Sequence, residues 1–315
     1  MAEALGRNAV AGIGVESTAG TAVSAALQAR LADLTVNEEV TRVRIEDLSL
    51  GVSGYTQARY TQQIRVSGSA KIVGYLSNGA IGMVMRACIG GAWASPVGSG
   101  PYTHVLNTGL DLPSITLRTY RDNGDQGDVV AGLKVLDYTI ELSTGGLLTI
   151  SFNYEAMSRV DGTLSVSLAA HEDPLVFHEF GALSFNSTTN ILSSMTISGD
   201  NGVEGIRAFG SASVSRLLST GIRSIKLSAT RFKDSDEWSV AQVAGTESDV
   251  HITGTRGTYS ARFELFNAVI IDGVGFANSS VGLVEETAVF EARDDGTDPP
   301  FKFTLINGDA TAEAS

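Results

Sequence analysis

Between 40 and 52 the apolar side chains fall at Val43, Ile45, Leu48, Leu50 and Val52. This is a period of two that slips once at Glu46 and Asp47, the pattern of a strand with a bulge or bend. After a polar stretch holding Tyr55 and Tyr60, alternation resumes with Ile64, Val66, Gly68, Ala70 and Ile72 on one face and Gln63, Arg65, Ser67, Ser69 and Lys71 on the other. The two segments read as a long hairpin. The period then becomes helical through Leu76, Ala80, Met83, Val84, Ala87 and Cys88, with Ser77 and Asn78 as cap candidates and Gly90 and Gly91 as the stop. A strand is predicted around Ile115, Leu117 and Thr119, ahead of an acidic loop at 122–128. The clearest hairpin sets Leu136, Tyr138, Ile140 and Leu142 against Leu148, Ile150, Phe152 and Tyr154 across a turn at 143–146.

The second half repeats this order of elements. Strand-like stretches at 191–197, 206–217 and 222–231 precede a second short helix, opened by Asp234 with Glu237 at capping-box spacing and carrying Trp238 and Ala241. Tyr259, Ala261, Phe263 and Leu265 alternate, and strands follow at 281–290 and 301–306. The helix starts, near 77 and 235, lie about half the chain apart. The expected architecture is mainly β, in two tandem sandwich units over 1–165 and 166–315, each with a short flanking helix. One large mixed sandwich is the alternative.

Composition then narrows the function. Among 315 residues there are 35 Gly and 6 Pro, so the connections are short glycine turns. Against 22 Lys and Arg stand 35 Asp and Glu, a net charge of -13, which argues against a protein that grips nucleic acid electrostatically. One cysteine excludes a disulfide scaffold and a Cys-cluster metal site. No apolar run reaches the ~18 residues of a membrane helix, and the opening residues lack a signal-peptide core, so neither a membrane span nor Sec export is expected. From 271 onward Asp272, Glu285, Glu286, Glu291, Asp294, Asp295, Asp298, Asp309 and Glu313 face only Arg293 and Lys302. The default reading of that bias is a solvated face; the sharper one is an acidic surface that repels a phosphate backbone and lets nucleic acid slide past without sticking.

The chemistry-bearing residues assemble no site. His104, His171, His178 and His251 form no His-Glu-x-x-His helix, and His171 and His178 fall on opposite faces of an extended strand. Asp122, Asp125 and Asp128 miss calcium-loop spacing because Gly124 occupies a ligand position, and they read, like Asp294, Asp295 and Asp298, as a solvated loop. Gly12 and Gly14 lack the third glycine of a dinucleotide fingerprint, and no Gly-x-Ser-x-Gly elbow occurs. Cys88 sits on the apolar stripe of the first helix as a buried thiol, and Trp93 and Trp238 read as core or interface anchors. No catalytic, cofactor-binding or metal-ligating residue is expected, and the protein is read as a non-enzyme without cofactors.

The opening AGIGVESTAGTAV, with Gly12, Gly14, Glu16, Ser17, Gly20, Thr21 and Ala22, is followed by LADLTVNEEV. It resembles the start of tail tube proteins of long-tailed bacteriophages, although Ala19 stands where that family often has an aromatic residue. Residues 130–158 resemble the same family's Gly-x-Lys-Val strand and Gly-Gly hairpin. The resemblance implies a structural virion protein whose domains join their strands into an inner β-barrel, in rings that stack into a tube conducting DNA into the host. With two tube domains per chain it implies a ring of three chains, or of six if the chain is a single domain. It also implies assembly in the host cytoplasm with a tape measure protein, a tail terminator and distal tail or initiator proteins. Candidate lumen faces are Gln63, Arg65, Ser67, Ser69 and Lys71, or Asp137, Thr139 and Glu141; candidate ring-to-ring arms are 51–62 and 199–209. The termini, 1–7 and 308–315, are expected to order only against neighbours. An acidic β-sandwich adhesin or carbohydrate-binding protein is the alternative function.

Overall fold

The computed structural model describes residues 10–23, 27–29, 31–50, 56–76, 80–120, 127–162, 174–209, 211–277 and 284–310. The first half runs β1 (Val10–Val15), β2 (Leu27–Ala29), β3 (Leu31–Leu50), β4 (Thr56–Val73), α1 (Ala80–Ile89), β5 (Tyr102–Asn107), β6 (Ile115–Tyr120), β7 (Gly127–Ser143), β8 (Thr149–Ala156) and β9 (Ser158–Gly162). The second runs β10 (Leu183–Phe185), β11 (Thr188–Asn190), β12 (Leu192–Asp200), β13 (Val203–Ile206), β14 (Arg216–Ser219), β15 (Ser224–Phe232), α2 (Glu237–Ala244), β16 (Ser248–Arg256), β17 (Tyr259–Ala277), β18 (Glu285–Glu291) and β19 (Phe301–Asn307). The chain is mainly β, as its alternation predicts.

All strand pairs are antiparallel, and the two halves pair in the same order. In the first, β3, β4, β8 and β7 lie side by side; in the second, β12, β15, β18 and β17 do. The long strands β7 and β17 each leave this sheet and enter another with their N-terminal parts. There β7 sits between β6 and β9 while β17 sits between β16 and β19. Even the irregularities repeat. The register slips between Leu31 and Asp33 and again between Leu192 and Ser194, and between Val135 and Asp137 and again between Ile270 and Asp272. The crossing from sheet to sheet is made in both halves at a bulge with a left-handed residue, Gly132 at φ 69° and Asn267 at φ 49°. These coincidences align the halves residue by residue, Asp137 on Asp272 and Leu31 on Leu192.

The halves meet edge to edge, because β7 pairs with β12 from Asp137 opposite Asp200 to Ser143 opposite Ser194. The result is an eight-stranded sheet. One row of directly opposed residues crosses all eight strands as Leu31, Ile72, Ile150, Ile140, Ile197, Leu227, Phe290 and Ile270, and from Ile72 onward it is buried. Core therefore continues across the seam, and each such side chain contributes roughly 1.5–3 kcal/mol by leaving water. A second suture is β5, which adds to β19 of the other half.

Several boundaries differ from the sequence reading. β3 starts at Leu31 rather than near 40, because its first nine residues sit at a sheet edge with polar residues at both faces. The stretch 206–217 is a turn flanked by the separate ribbon β13–β14, and Ile222 stays exposed ahead of β15. Asp234 does not cap α2; the helix starts at Glu237 with Asp236 at the cap position, and no side chain bonds there. Ser77, Asn78 and 281–283 lie outside the described residues.

Candidate functional site

Alternation gives the eight-stranded sheet a second face, and it is polar. Its central row of opposed residues reads Asp33, Lys71, Ser151, Thr139, Ser198, Lys226, Glu291 and Val269 across the eight strands. The neighbouring row runs Thr35, Ser69, Asn153, Asp137, Asp200 and Ser224. The two candidate faces named from sequence are thus one surface. Ser69, Lys71, Asp137 and Thr139 line a single shallow depression of about 190 Å³ with Asp33, Ser151 and Asn153.

The charges on this face are mostly negative, and three of its cations are paired. Lys71 Nζ lies 3.1 Å from Glu141, Arg65 3.1 Å from Glu155 and Lys226 3.7 Å from Glu291. Asp137 accepts from Asn153 Nδ2 at 2.7 Å. A short hydroxyl or amide occupies most remaining positions. Such a surface offers water many partners and a phosphate few free cations.

Both outer edges of the sheet are open among the described residues. β3 pairs only with β4, and β17 beyond Val269 only with β18. Unpaired edges attract further strands.

The signature around Glu16 is structural. Each carboxylate oxygen takes one backbone N–H and one hydroxyl: Gly20 N at 2.8 Å and Ser114 Oγ at 2.8 Å, Gly132 N at 2.9 Å and Thr116 Oγ1 at 2.7 Å. Buried Glu16 thereby ties the turn after β1 to the head of β6 and to the bulge of β7. Gly20 is required there because its φ is 82°. In the second half the equivalent bulge N–H, that of Asn267, donates to Asp249 at 3.2 Å. Glu16→Ala should leave two backbone donors without their acceptor and cost about 3 kcal/mol in denaturant unfolding, with Glu16→Gln in between because its amide still opposes one N–H.

The remaining singled-out residues disperse. His104 is buried and bonded to Asn307 at 2.9 Å, His178 is exposed, and His251 is half-buried with its pKa lowered by burial and then by Arg262. His171, Asp122 and Asp125 lie outside the described residues. Asp128 is not part of a solvated loop: it is buried on β7 and bound by Arg159 at 2.7 Å. Asp294, Asp295 and Asp298 are exposed. Burial pushes the Cys88 thiol up, as for an inert core cysteine. Trp238 is fully buried, while Trp93 packs edge-on against His104 and Phe303. The acidic C-terminal part is not wholly solvated either. Glu286 is fully buried and binds Arg231 at 2.9 Å, an ion pair that sequence spacing gave no means of finding. Among the described residues no three metal-binding side chains cluster, and no helix is long and apolar enough to cross a membrane.

Compared with known proteins, the chain matches a family model described as phage tail tube protein over residues 6–311. No curated protein matches it.

Proposed function

The chain belongs to the phage tail tube protein family, structural components of the virion tail that self-assemble, and from that premise we propose that three copies close into a ring whose inner wall is the polar face of the eight-stranded sheet. Each copy supplies two tube domains, 1–165 and 166–315. The single observation that carries this reading is the sheet itself: two four-stranded halves in the same order, joined edge to edge, with a continuous polar face and an open edge at each end. A heterologous edge-to-edge contact of this kind either closes into a ring or runs on as a filament, and closure removes every open edge.

Stacked rings then form a conduit through which genomic DNA passes into the host without specific binding, its phosphates facing carboxylates and hydroxyls. The tube is assembled in the host cytoplasm around a tape measure protein, on an initiator complex, and is closed by a terminator. The arms between β3 and β4 and between β12 and β15 bridge the rings. For the first arm, 51–55 lie outside the described residues and 56–62 already belong to β4. In the second, Gly199 still belongs to β12, and the ribbon β13–β14 with its connecting segment presents Ile206, Phe209 and Leu218 to solvent.

Negative-stain electron microscopy of the purified chain at high concentration, with end-on views averaged without imposed symmetry, tests this. Hollow rings with threefold density are expected. Six chains per ring would overturn the two-domain stoichiometry, and particles that stay globular even with tail-tip initiator proteins would overturn self-assembly into a tube.

A further inference from the structure

The two halves differ in how their helices are covered, α1 by β1, β2, β7 and β19 and α2 by β17. Helices α1 and α2 both end at a left-handed glycine, Gly90 and Gly245, whose N–H bonds the carbonyl four residues back, of Arg86 and of Ala241. Met85 therefore corresponds to Val240, and Cys88 to Val243. Met85 and Cys88 are fully buried, whereas Val240 and Val243 are 64% and 91% exposed. α1 packs against β1, β2 and β19 as well as β7, and residues beside the seam bond the carbonyls at its end. Asn201 Nδ2 bonds the Cys88 carbonyl at 2.9 Å and that of Val135 at 3.1 Å, and Arg223 Nη2 bonds the Ile89 carbonyl at 2.9 Å. α2 packs on β17 and leaves both valines to solvent among the described residues.

The counterpart of Asn201 lies on β3. Asn201 follows Asp200, the β12 partner of Asp137, and it corresponds to Val40, which follows Glu39 on the open edge strand β3. Val40 is an apolar side chain left 42% exposed. Asp137 corresponds to Asp272, on the open edge of β17. We infer that the contact between neighbouring copies reproduces the contact between the two halves of one copy: β17 adds to β3 of the next copy with Asp272 opposite Glu39, and Val40 of that strand closes over Val240 and Val243. The chemistry changes in the right sense. Where the in-chain seam sets the polar Asn201 and Arg223 on the helix end, the seam between copies sets Val40 and half-buried Ile64 against valines. This inference rests on self-assembly of the chain and adds its register and its helix contact.

The Asn201 N–H bonds the Leu136 carbonyl at 2.8 Å, which makes the adjacent Asp137–Asp200 pair a non-hydrogen-bonded one. In such a pair the side chains lie close enough for a disulfide. The equivalent cross-copy pair is tested with Glu39→Cys/Asp272→Cys in the full chain, assembled under reducing conditions and then oxidised. Asp137→Cys/Asp200→Cys serves as the in-chain calibrator and Glu38→Cys/Asp272→Cys as a one-residue slip. The expected result is a covalent ladder that ends at three chains, at least tenfold stronger than for the slipped pair. Tubes that form but do not cross-link, or that cross-link equally in the slipped pair, overturn the register while leaving tube formation standing. Wild-type protein that never assembles overturns both. Val243→Glu, at an exposed position, should keep the melting temperature of the monomer and abolish rings; wild-type assembly by this variant overturns the helix contact.

Discussion

Arg231→Met is expected to destabilise the chain by about 4 kcal/mol, and adding Glu286→Leu is expected to restore most of that loss. Arg231 and Glu286 oppose each other on β15 and β18 and are almost fully shielded from water. The guanidinium gives Nε and Nη2 to one carboxylate oxygen at 3.0 and 2.9 Å, donates from Nη1 to Asn190, and lies 4.1 Å from the ring centre of Trp238. Removing the cation alone leaves a buried carboxylate with only a long contact to Ser239, and that uncompensated charge sets the size of the effect. The first half supplies the control. Its residues at the same positions, Ile72 and Ile150, are directly opposed and buried, so this site in the fold accepts an apolar pair. Equilibrium denaturation of both single variants and the double variant measures the coupling. A double variant as unstable as either single one would show that the pair does more than neutralise itself.

The difference between the two halves at this position also bears on how the chain avoids mispairing. Halves that share strand order and bulges could exchange strands. Setting β15 against β8 would oppose Arg231 to Ile150 and bury two separated charges, so one ion pair in an otherwise apolar row discriminates against the exchange.

Legibility in the sequence followed the burial of single faces. The β7–β8 hairpin was readable because one face is core and the other water, so Tyr138, Ile140, Phe152 and Tyr154 alternate with Thr139, Ser151 and Asn153. The start of β3 was not, because Ala32, Asp33, Thr35 and Asn37–Val40 are exposed on a strand at the sheet edge. The full length of β17 was hidden for another reason: its bulges break the period of two at Asn267, Ile271 and Val274. The order of elements suggested a tandem plan, whereas the correspondence between the halves lies in backbone irregularities that different residues produce, Gly132 in one half and Asn267 in the other. Glu286 was misread because a carboxylate beside other carboxylates gives no hint of an arginine 55 positions earlier. The polar face was half legible: each strand announced a wet side, and only pairing across β7 and β12 made those sides one surface.

That surface carries the second large expectation. Ser69→Lys, Thr139→Lys and Thr196→Lys place cations on the polar face at positions where the native side chains are short and half-buried and the backbone is held by strands on both sides. Assembly should survive, because the open edges and α2 are untouched. Passage of DNA should not. A ring of three chains would gain about nine cations, and binding driven by counterion release steepens by about 0.9 in log–log salt slope for each phosphate engaged. Variant tubes should therefore retain duplex DNA at low salt and release it at high salt, and virions carrying them should eject their genomes at least tenfold more slowly at low salt than wild type does. Slowing that high salt relieves identifies the face as the wall along which the phosphates run. Unchanged ejection by virions with normal tails would place the DNA path on some other surface, because an added cation acts on a phosphate only within about a Debye length of it.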